Sequence, residues 1–160
     1  MPDFPIVDTH LHVWDHTRLK YSAFEGSPLL SYNFHVEDYR RDLGPIKVEA
    51  MVFLECYADF WPGGGQYLEE IAFVEEEARR DPGIQAMAPM APLEWGSRVE
   101  PMLAEMRDKH PAVKGIRRIV EFDADPRALT LSDSFIDGVN LLEKFGFHFE
   151  INVHHHQMDI

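Results

Sequence analysis

The sequence has 160 residues, 45% hydrophobic and 12% aromatic, so it can bury a sizeable core and is neither disordered nor fibrous. Its 15 Lys and Arg against 28 Asp and Glu give a formal net charge of −13, which repels phosphate backbones and anionic lipid surfaces. We therefore expect no nucleic-acid partner and no membrane partner. The lone cysteine, Cys56, excludes an intrachain disulfide framework. Because the sequence also lacks a signal peptide and any apolar run of ~20 residues, we expect a cytoplasmic protein.

Five short segments have the composition of strands, because they are apolar and rich in β-branched residues. They cover residues 4–12, 48–55, 84–91, 113–120 and 147–153. Amphipathic helices are predicted between them, over residues 36–43 and 66–80, from Ser97 onward, and from Ser132 or Asp133 to Gly146. Strands that alternate with helices are typical of a parallel sheet covered by crossover helices, so we predict an α/β fold.

Signals at the helix ends support these boundaries. Ser97 with Glu100 three residues later predicts a capping box, and Gly146 predicts a left-handed cap. Two long loops follow the first and second strands, over residues 14–34 and 57–65. Long loops after strands often carry function, and the three glycines at 63–65 predict a lid or turn.

The sharpest chemical signal is Asp8-Thr9-His10-Leu11-His12, at the end of the first strand. Strand side chains alternate, so Asp8, His10 and His12 share one face and the two imidazoles converge. Such a pair suits a divalent metal ion and equally suits a proton-transfer pair. The alternative is that one histidine caps a backbone carbonyl while the other is solvated.

The fifth strand has a wholly apolar face and a polar face made by His148, Glu150, Asn152, His154 and His156. An amphipathic edge strand with one wet face would give the same pattern. If the polar face lines a cavity instead, His154 or His156 could join the first histidine pair. A remnant of an affinity tag explains the run less well, because it is short and four more residues follow it.

The fourth strand carries Arg117 and Arg118, which should project to opposite sides. A guanidinium is costly to bury among aliphatic side chains, so one of the two should reach a polar cavity and bind an anionic or carbonyl-bearing substrate. Pairing with Glu121 or another acid is the alternative. Glu55 could be a further cavity carboxylate, but we favour a charge on a surface loop, and we expect Cys56 to be a small core residue.

These motifs together resemble the amidohydrolase superfamily. Residues 6–15, Ile-Val-Asp-Thr-His-Leu-His-Val-Trp-Asp, resemble its opening strand, and Trp14-Asp15 resembles the lactonase-like branch, which includes sugar-lactone and pyrone-dicarboxylate lactonases. Four further segments fit in order, at residues 18–21, 36–39, 115–118 and 156–157. The resemblance covers essentially all 160 residues.

The resemblance implies a (β/α)8 barrel with its site at the carboxyl ends of the strands. Because such a barrel needs about 250 residues, it implies that residues 1–160 are the amino-terminal portion of one barrel domain, with about five of eight strand-helix units. It implies His10 and His12 as metal ligands and, with His156, as catalytic residues. Arg117, Trp14 and His154 are the implied substrate-binding residues. One divalent metal ion, zinc before others, is implied, although some relatives work without metal.

The implied reaction is hydrolysis of a lactone by water attack on the ester carbonyl. The aspartate expected as general base belongs to a strand beyond the fifth, so the carboxyl-terminal half of the barrel or a second copy of the chain is the expected partner. A small lactone or a carboxylated compound is the expected substrate. Two alternatives stay open: a metal-dependent decarboxylase of the same superfamily, and a catalytically incomplete fragment that acts only by binding.

Overall fold

The computed structural model describes residues 4–59 and 66–158. The predicted lid or turn at the three glycines lies outside these residues. The chain divides into two compact units, Met1–Met87 and Ala88–Ile160, which are described in turn. Within the described residues, every helix is too short or too polar to cross a lipid bilayer.

The first unit alternates strands and helices as predicted. Its elements are β1 (Ile6–Leu11), a 3₁₀ turn (Ser22–Phe24), α1 (Val36–Leu43), β2 (Val48–Leu54), α2 (Gln66–Arg80) and β3 (Ile84–Ala88). The strands form a sheet in the order β1-β2-β3, and β1 runs parallel to β2. Both predicted helices of this unit have the predicted bounds, and Pro89 follows the end of β3 because proline cannot donate to a sheet ladder.

An extra residue in β1 changes the predicted alternation. Asp8 is opposite Met51 and Leu11 is opposite Phe53, so three steps along β1 match two steps along β2. Such a bulge bends the strand and re-aims the side chains that follow it. Val7 is therefore 59% exposed whereas Leu11 is 2% exposed, although strict alternation would place them on one face.

The second unit holds the remaining elements. These are a 3₁₀ segment (Leu93–Val99), α3 (Glu100–Lys109), β4 (Gly115–Ile119), α4 (Pro126–Thr130), α5 (Asp133–Phe145), β5 (His148–Asn152) and a 3₁₀ turn (His155–Gln157). Strands β4 and β5 are parallel and in register from Gly115 opposite His148 to Ile119 opposite Asn152. Met90 forms a parallel bridge with Arg117.

One predicted helix end is right and another is wrong. Ser132 caps α5 by accepting from the Phe135 amide at 3.3 Å, and Gly146 ends it with φ 71°. The predicted capping box at Ser97 is wrong, because Ser97 lies in the 3₁₀ segment that is kinked at Gly96, and α3 begins only at Glu100.

The fifth strand is shorter than predicted. It ends at Asn152, and the next residues turn into the 3₁₀ segment, where the His154 amide donates to Oε1 of Gln157 at 2.7 Å. The prediction that strict alternation continues to His156 is therefore wrong.

Candidate active site

The histidine pair lies at the carboxyl end of β1, where loops of α/β proteins carry their sites. Nε2 of His10 and Nε2 of His12 are 3.0 Å apart, and their rings meet edge to face with centroids 4.8 Å apart. The predicted convergence of the two imidazoles is confirmed. The two imidazoles converge even though His10 lies within the bulge and His12 follows it.

A backbone carbonyl sets the protonation of His12. Nδ1 of His12 is 3.0 Å from the carbonyl oxygen of Leu54, the last residue of β2. A carbonyl oxygen can only accept, so the proton of the neutral ring lies on Nδ1 and the lone pair lies on Nε2. Nε2 of His12 is thereby a base or a ligand facing Nε2 of His10, which can donate a hydrogen bond to it.

The Asp8 carboxylate stabilises the bulge in β1 and is not part of the pair of converging imidazoles. One of its carboxylate oxygens accepts the His10 amide at 3.0 Å, which removes that amide from the sheet ladder. The other accepts the hydroxyl of Tyr39, on α1, at 2.6 Å. Burial first, and then this hydrogen bond, raise the pKa of Tyr39 above its usual range. Asp8 therefore fixes the backbone that carries His10.

The Trp14-Asp15 motif begins the long loop of the first unit. The Trp14 side chain stacks on Phe34 at 5.0 Å, and its Nε1 donates to the carbonyl of Tyr32 at 2.6 Å. Asp15 accepts both the amide and the hydroxyl of Thr17, at 2.8 and 2.6 Å. Trp14 is 8% exposed, and its role in substrate binding stays a prediction.

Two buried glutamates lie near the carboxyl end of β2. Glu55 is 2% exposed and Glu70, on α2, is 1% exposed. The preference for Glu55 as a surface loop charge is therefore wrong, whereas Cys56 is buried as expected. Burial first, and then the charge of Glu55, raise the pKa of Glu70 well above its ordinary value.

In the second unit, the two arginines of β4 differ in burial and in their ion pairs. Arg118 pairs with Glu94 at 3.0 Å and with Asp123 at 3.3 Å, so acids neutralise it. Arg117 is 6% exposed and its amide donates to the carbonyl of Pro89 at 2.9 Å. Arg117 is therefore buried in the second unit, and its role in binding a substrate anion stays a prediction.

The histidines after β5 form a cluster of their own. Nδ1 of His154 is 3.4 Å from Oε2 of Glu121, and its ring stacks on His156 with centroids 5.3 Å apart. Gln157 ties this turn to the end of β4, because its Nε2 donates to the carbonyl of Glu121 at 3.3 Å. The structure thus brings His154 and His156 together, and it places His10, His12 and Trp14 in the first unit.

No protein-family model matches the sequence, and no protein of curated function matches it. Solved structures do match. An amidohydrolase from Burkholderia multivorans with zinc bound has a TM-score of 0.76 and 21% identity, over 96% of this chain and 50% of that chain.

Two further solved structures also match this chain. Amidohydrolase 2 from Bifidobacterium longum subsp. infantis has a TM-score of 0.64 and 20% identity, over 91% of this chain and 50% of that chain. A probable 2-pyrone-4,6-dicarboxylic acid hydrolase from Acinetobacter baumannii with citric acid bound has a TM-score of 0.62 and 12% identity, over 91% and 48%. The chain adopts the fold of part of a (β/α)8 barrel. It spans about half the length of the solved structures it matches.

His10 and His12 fit a metal ion as two of its ligands. Two nitrogens 3.0 Å apart suit one ion at about 2.0–2.1 Å from each, and the Leu54 carbonyl holds His12 in the tautomer that a metal requires. Within residues 4–59 and 66–158, no group of three or more His, Cys, Asp or Glu side chains is arranged to hold a metal ion. Any further ligands of an ion bound by His10 and His12 would have to come from groups other than these side chains.

The burial of Glu70 on α2 was not predicted from the sequence. Glu70 lies one residue before Ile71 and four before Val74, so helical spacing places it on the buried face of α2. That spacing was the available signal. The contact between His154 and Glu121 was missed because the two residues are 33 positions apart and come from different strand ends.

Proposed function

We propose that this chain is part of a cytoplasmic amidohydrolase-type hydrolase that opens a lactone by water attack on the ester carbonyl. The convergence of Nε2 of His10 and Nε2 of His12 at the carboxyl end of β1 carries this proposal. Two imidazole nitrogens at one point can bind a proton or an ion beside a reacting carbonyl. The names of the structural neighbours, which are amidohydrolases and one probable pyrone-dicarboxylate hydrolase, support the same reaction class.

In this proposal His10 and His12 act as one unit. The lone pair on Nε2 of His12 either accepts the proton that His10 donates or ligates an ion together with His10. A divalent ion, zinc before others because a Burkholderia neighbour has zinc bound, would polarise the ester carbonyl and lower the pKa of the attacking water. His156 is the third proposed catalytic residue, and Glu121 orients the neighbouring His154 through Nδ1.

A carboxylated lactone is the substrate class we propose. Arg117 would bind the carboxylate, since a guanidinium matches it with paired hydrogen bonds, and Trp14 and His154 would contact the ring. The Acinetobacter neighbour supports this class, because it is named for a dicarboxylic acid and was solved with citric acid bound.

The partner we propose is the carboxyl-terminal half of the barrel. Strand β1 lies at one edge of its sheet and exposes Val7, while β5 is paired with β4 in the other sheet and leaves Ile151 43% exposed. Exposed apolar side chains on edge strands favour pairing with further strands. The general base that the resemblance places beyond the fifth strand would come with them.

A panel assay tests the function. The purified chain, alone and with any polypeptide encoded downstream of codon 160, is incubated with sugar lactones, 2-pyrone-4,6-dicarboxylate and an uncharged lactone. We expect ring opening by the assembled protein, preference for the carboxylated lactone, and a loss of about 10²-fold or more in His10→Ala. Ring opening by neither form would overturn the proposal, and so would carbon dioxide release without ring opening, which is the reaction of a decarboxylase. Light scattering on the same samples identifies the partner, since a complex of two identical chains would contradict the proposed half barrel.

A further inference from the structure

The turn after β2 has an unusual backbone. Tyr57 has φ 57°, and it is the one residue other than glycine with positive φ among residues 4–59 and 66–158. This conformation costs a residue with a side chain on the order of 1 kcal/mol or more, so neighbouring contacts must hold it. The turn comprises Glu55, Cys56 and Tyr57.

Two carboxyl groups hold this turn by its amides. The Cys56 amide donates to Oε1 of Glu70 at 3.2 Å, and the Tyr57 amide donates to Oε2 of Glu55 at 3.0 Å. Glu55 belongs to the turn itself, whereas Glu70 reaches it from α2. Glu70 therefore links helix α2 to the turn after β2.

The burial of both groups limits their charge. Glu55 and Glu70 are each at most 2% exposed, and two carboxylates in one buried site cannot both be ionised without a large cost. Oε2 of Glu70 has no hydrogen-bond partner in the described part of the chain, which costs a neutral carboxylic acid less than a carboxylate. Burial and the nearby charge of Glu55 both raise the pKa of Glu70, which favours its neutral form.

We propose that Glu70, as a neutral carboxylic acid, is a positioning residue for His12, acting through the Cys56 amide and the Leu54 carbonyl. Leu54 lies two residues before Cys56, and its carbonyl accepts from Nδ1 of His12. When Glu70 holds the turn, the carbonyl stays aimed at the ring and keeps the lone pair on Nε2. The catalytic meaning of this chain of contacts rests on the proposed function, but the contacts themselves do not.

Nitrogen NMR of the histidine rings tests the proposal on the 160-residue chain. Glu70→Gln keeps a neutral acceptor at Oε1, so His12 should remain protonated at Nδ1, as in the wild type. Glu70→Ala removes the acceptor, so His12 should change to a mixture of its two tautomers. Glu69→Gln, at an exposed position one residue earlier on α2, is the matched control and should change nothing.

Three results would overturn the proposal. These are a His12 ring that loses its Nδ1 proton in Glu70→Gln, a ring that is unchanged in a folded Glu70→Ala, and a carboxyl carbon signal of Glu70 typical of the ionised group at neutral pH. The first and third apply even if Glu70→Ala does not fold. A wild type that opens no lactone while His12 responds as described would refute the proposed function and leave this inference intact.

Discussion

Nδ1 of His12 donates a hydrogen bond of 3.0 Å to the carbonyl of Leu54, which lies 42 residues away in the sequence. The bond joins the ends of two parallel neighbours, β1 and β2. It decides which nitrogen of His12 is available, because a carbonyl cannot donate. The pairing of β1 with β2 thus sets which nitrogen of His12 faces His10, before any substrate or ion is bound.

The Asp8 carboxylate should depend on Tyr39 for its position. Tyr39→Phe removes the 2.6 Å hydrogen bond and leaves a charged acceptor with one partner fewer, so we expect a loss of about 1–2 kcal/mol in the free energy of unfolding. Urea unfolding measures it. Tyr32→Phe, at a ring that is 53% exposed, is the control and should change stability by less than about 0.5 kcal/mol. Equal losses in the two variants would contradict the assigned role of Asp8.

The stability of the chain should fall with rising pH through Glu70. The folded pKa of Glu70 is raised above the ordinary 4.5, so between these values the folded chain keeps a proton that the unfolded chain has lost. The free energy of unfolding therefore decreases as pH rises from about 4.5 toward the folded pKa. Glu70→Gln should lose this component, as urea unfolding at several pH values would detect. An unchanged pH slope in Glu70→Gln would contradict the burial of a neutral Glu70.

Replacing Arg40 by lysine should lower the stability of the chain. Its guanidinium donates to Asp81 through Nε at 2.5 Å and to the carbonyl of Val48 at 2.6 Å, which a single ammonium cannot reproduce. The hydrogen bond from Arg40 lowers the pKa of Asp81, so this stabilisation is present above the ordinary value of 3.8 and is lost as pH falls through the folded pKa. Because the Arg40 side chain is 31% exposed, we expect Arg40→Lys to cost about 1 kcal/mol at neutral pH. Arg41→Lys, more exposed on α1, is the control, and an equal loss there would refute the assignment.

Gly138 should not tolerate a side chain. A Cβ atom at this position would lie 2.0 Å from the carbonyl oxygen of Leu93, a backbone atom that cannot move aside cheaply. Alanine would gain up to about 1 kcal/mol of helix propensity, but overpacking costs about 1–3 kcal/mol or more, so Gly138→Ala should be destabilised. Denaturant unfolding tests this against Asn140→Ala on the exposed side of α5. If Gly138→Ala is as stable as the wild type, α5 does not pack against Leu93 as described.

Local signals predicted much of the fold. Helices α1 and α2 have the predicted bounds because the apolar spacing that predicts them is a local feature. Ser132 and Gly146 cap α5 as predicted for the same reason. The capping box at Ser97 failed because Gly96, at φ 60°, kinks the chain before a helix can begin.

The site was predictable only where it depends on a few adjacent residues. His10 and His12 converge as their spacing predicts, although alternation alone does not show the bulge between Asp8 and Leu11. The burial of Glu55 and Glu70 at the turn after β2 depends on tertiary packing, which residue type does not reveal. Charged residues are usually exposed, and here that rule gave the wrong answer.

A double-mutant cycle on lactone hydrolysis tests the central claim, that His10 and His12 act together at one point. The values of kcat/KM are compared for the wild type, His10→Ala, His12→Ala and the double variant, with His16→Ala as an exposed control. Residues that form one catalytic unit are strongly non-additive, so the double variant should lose about as much activity as either single variant, a factor of about 10²–10⁴. Losses that multiply in the double variant would show that the two imidazoles act independently and would contradict the account.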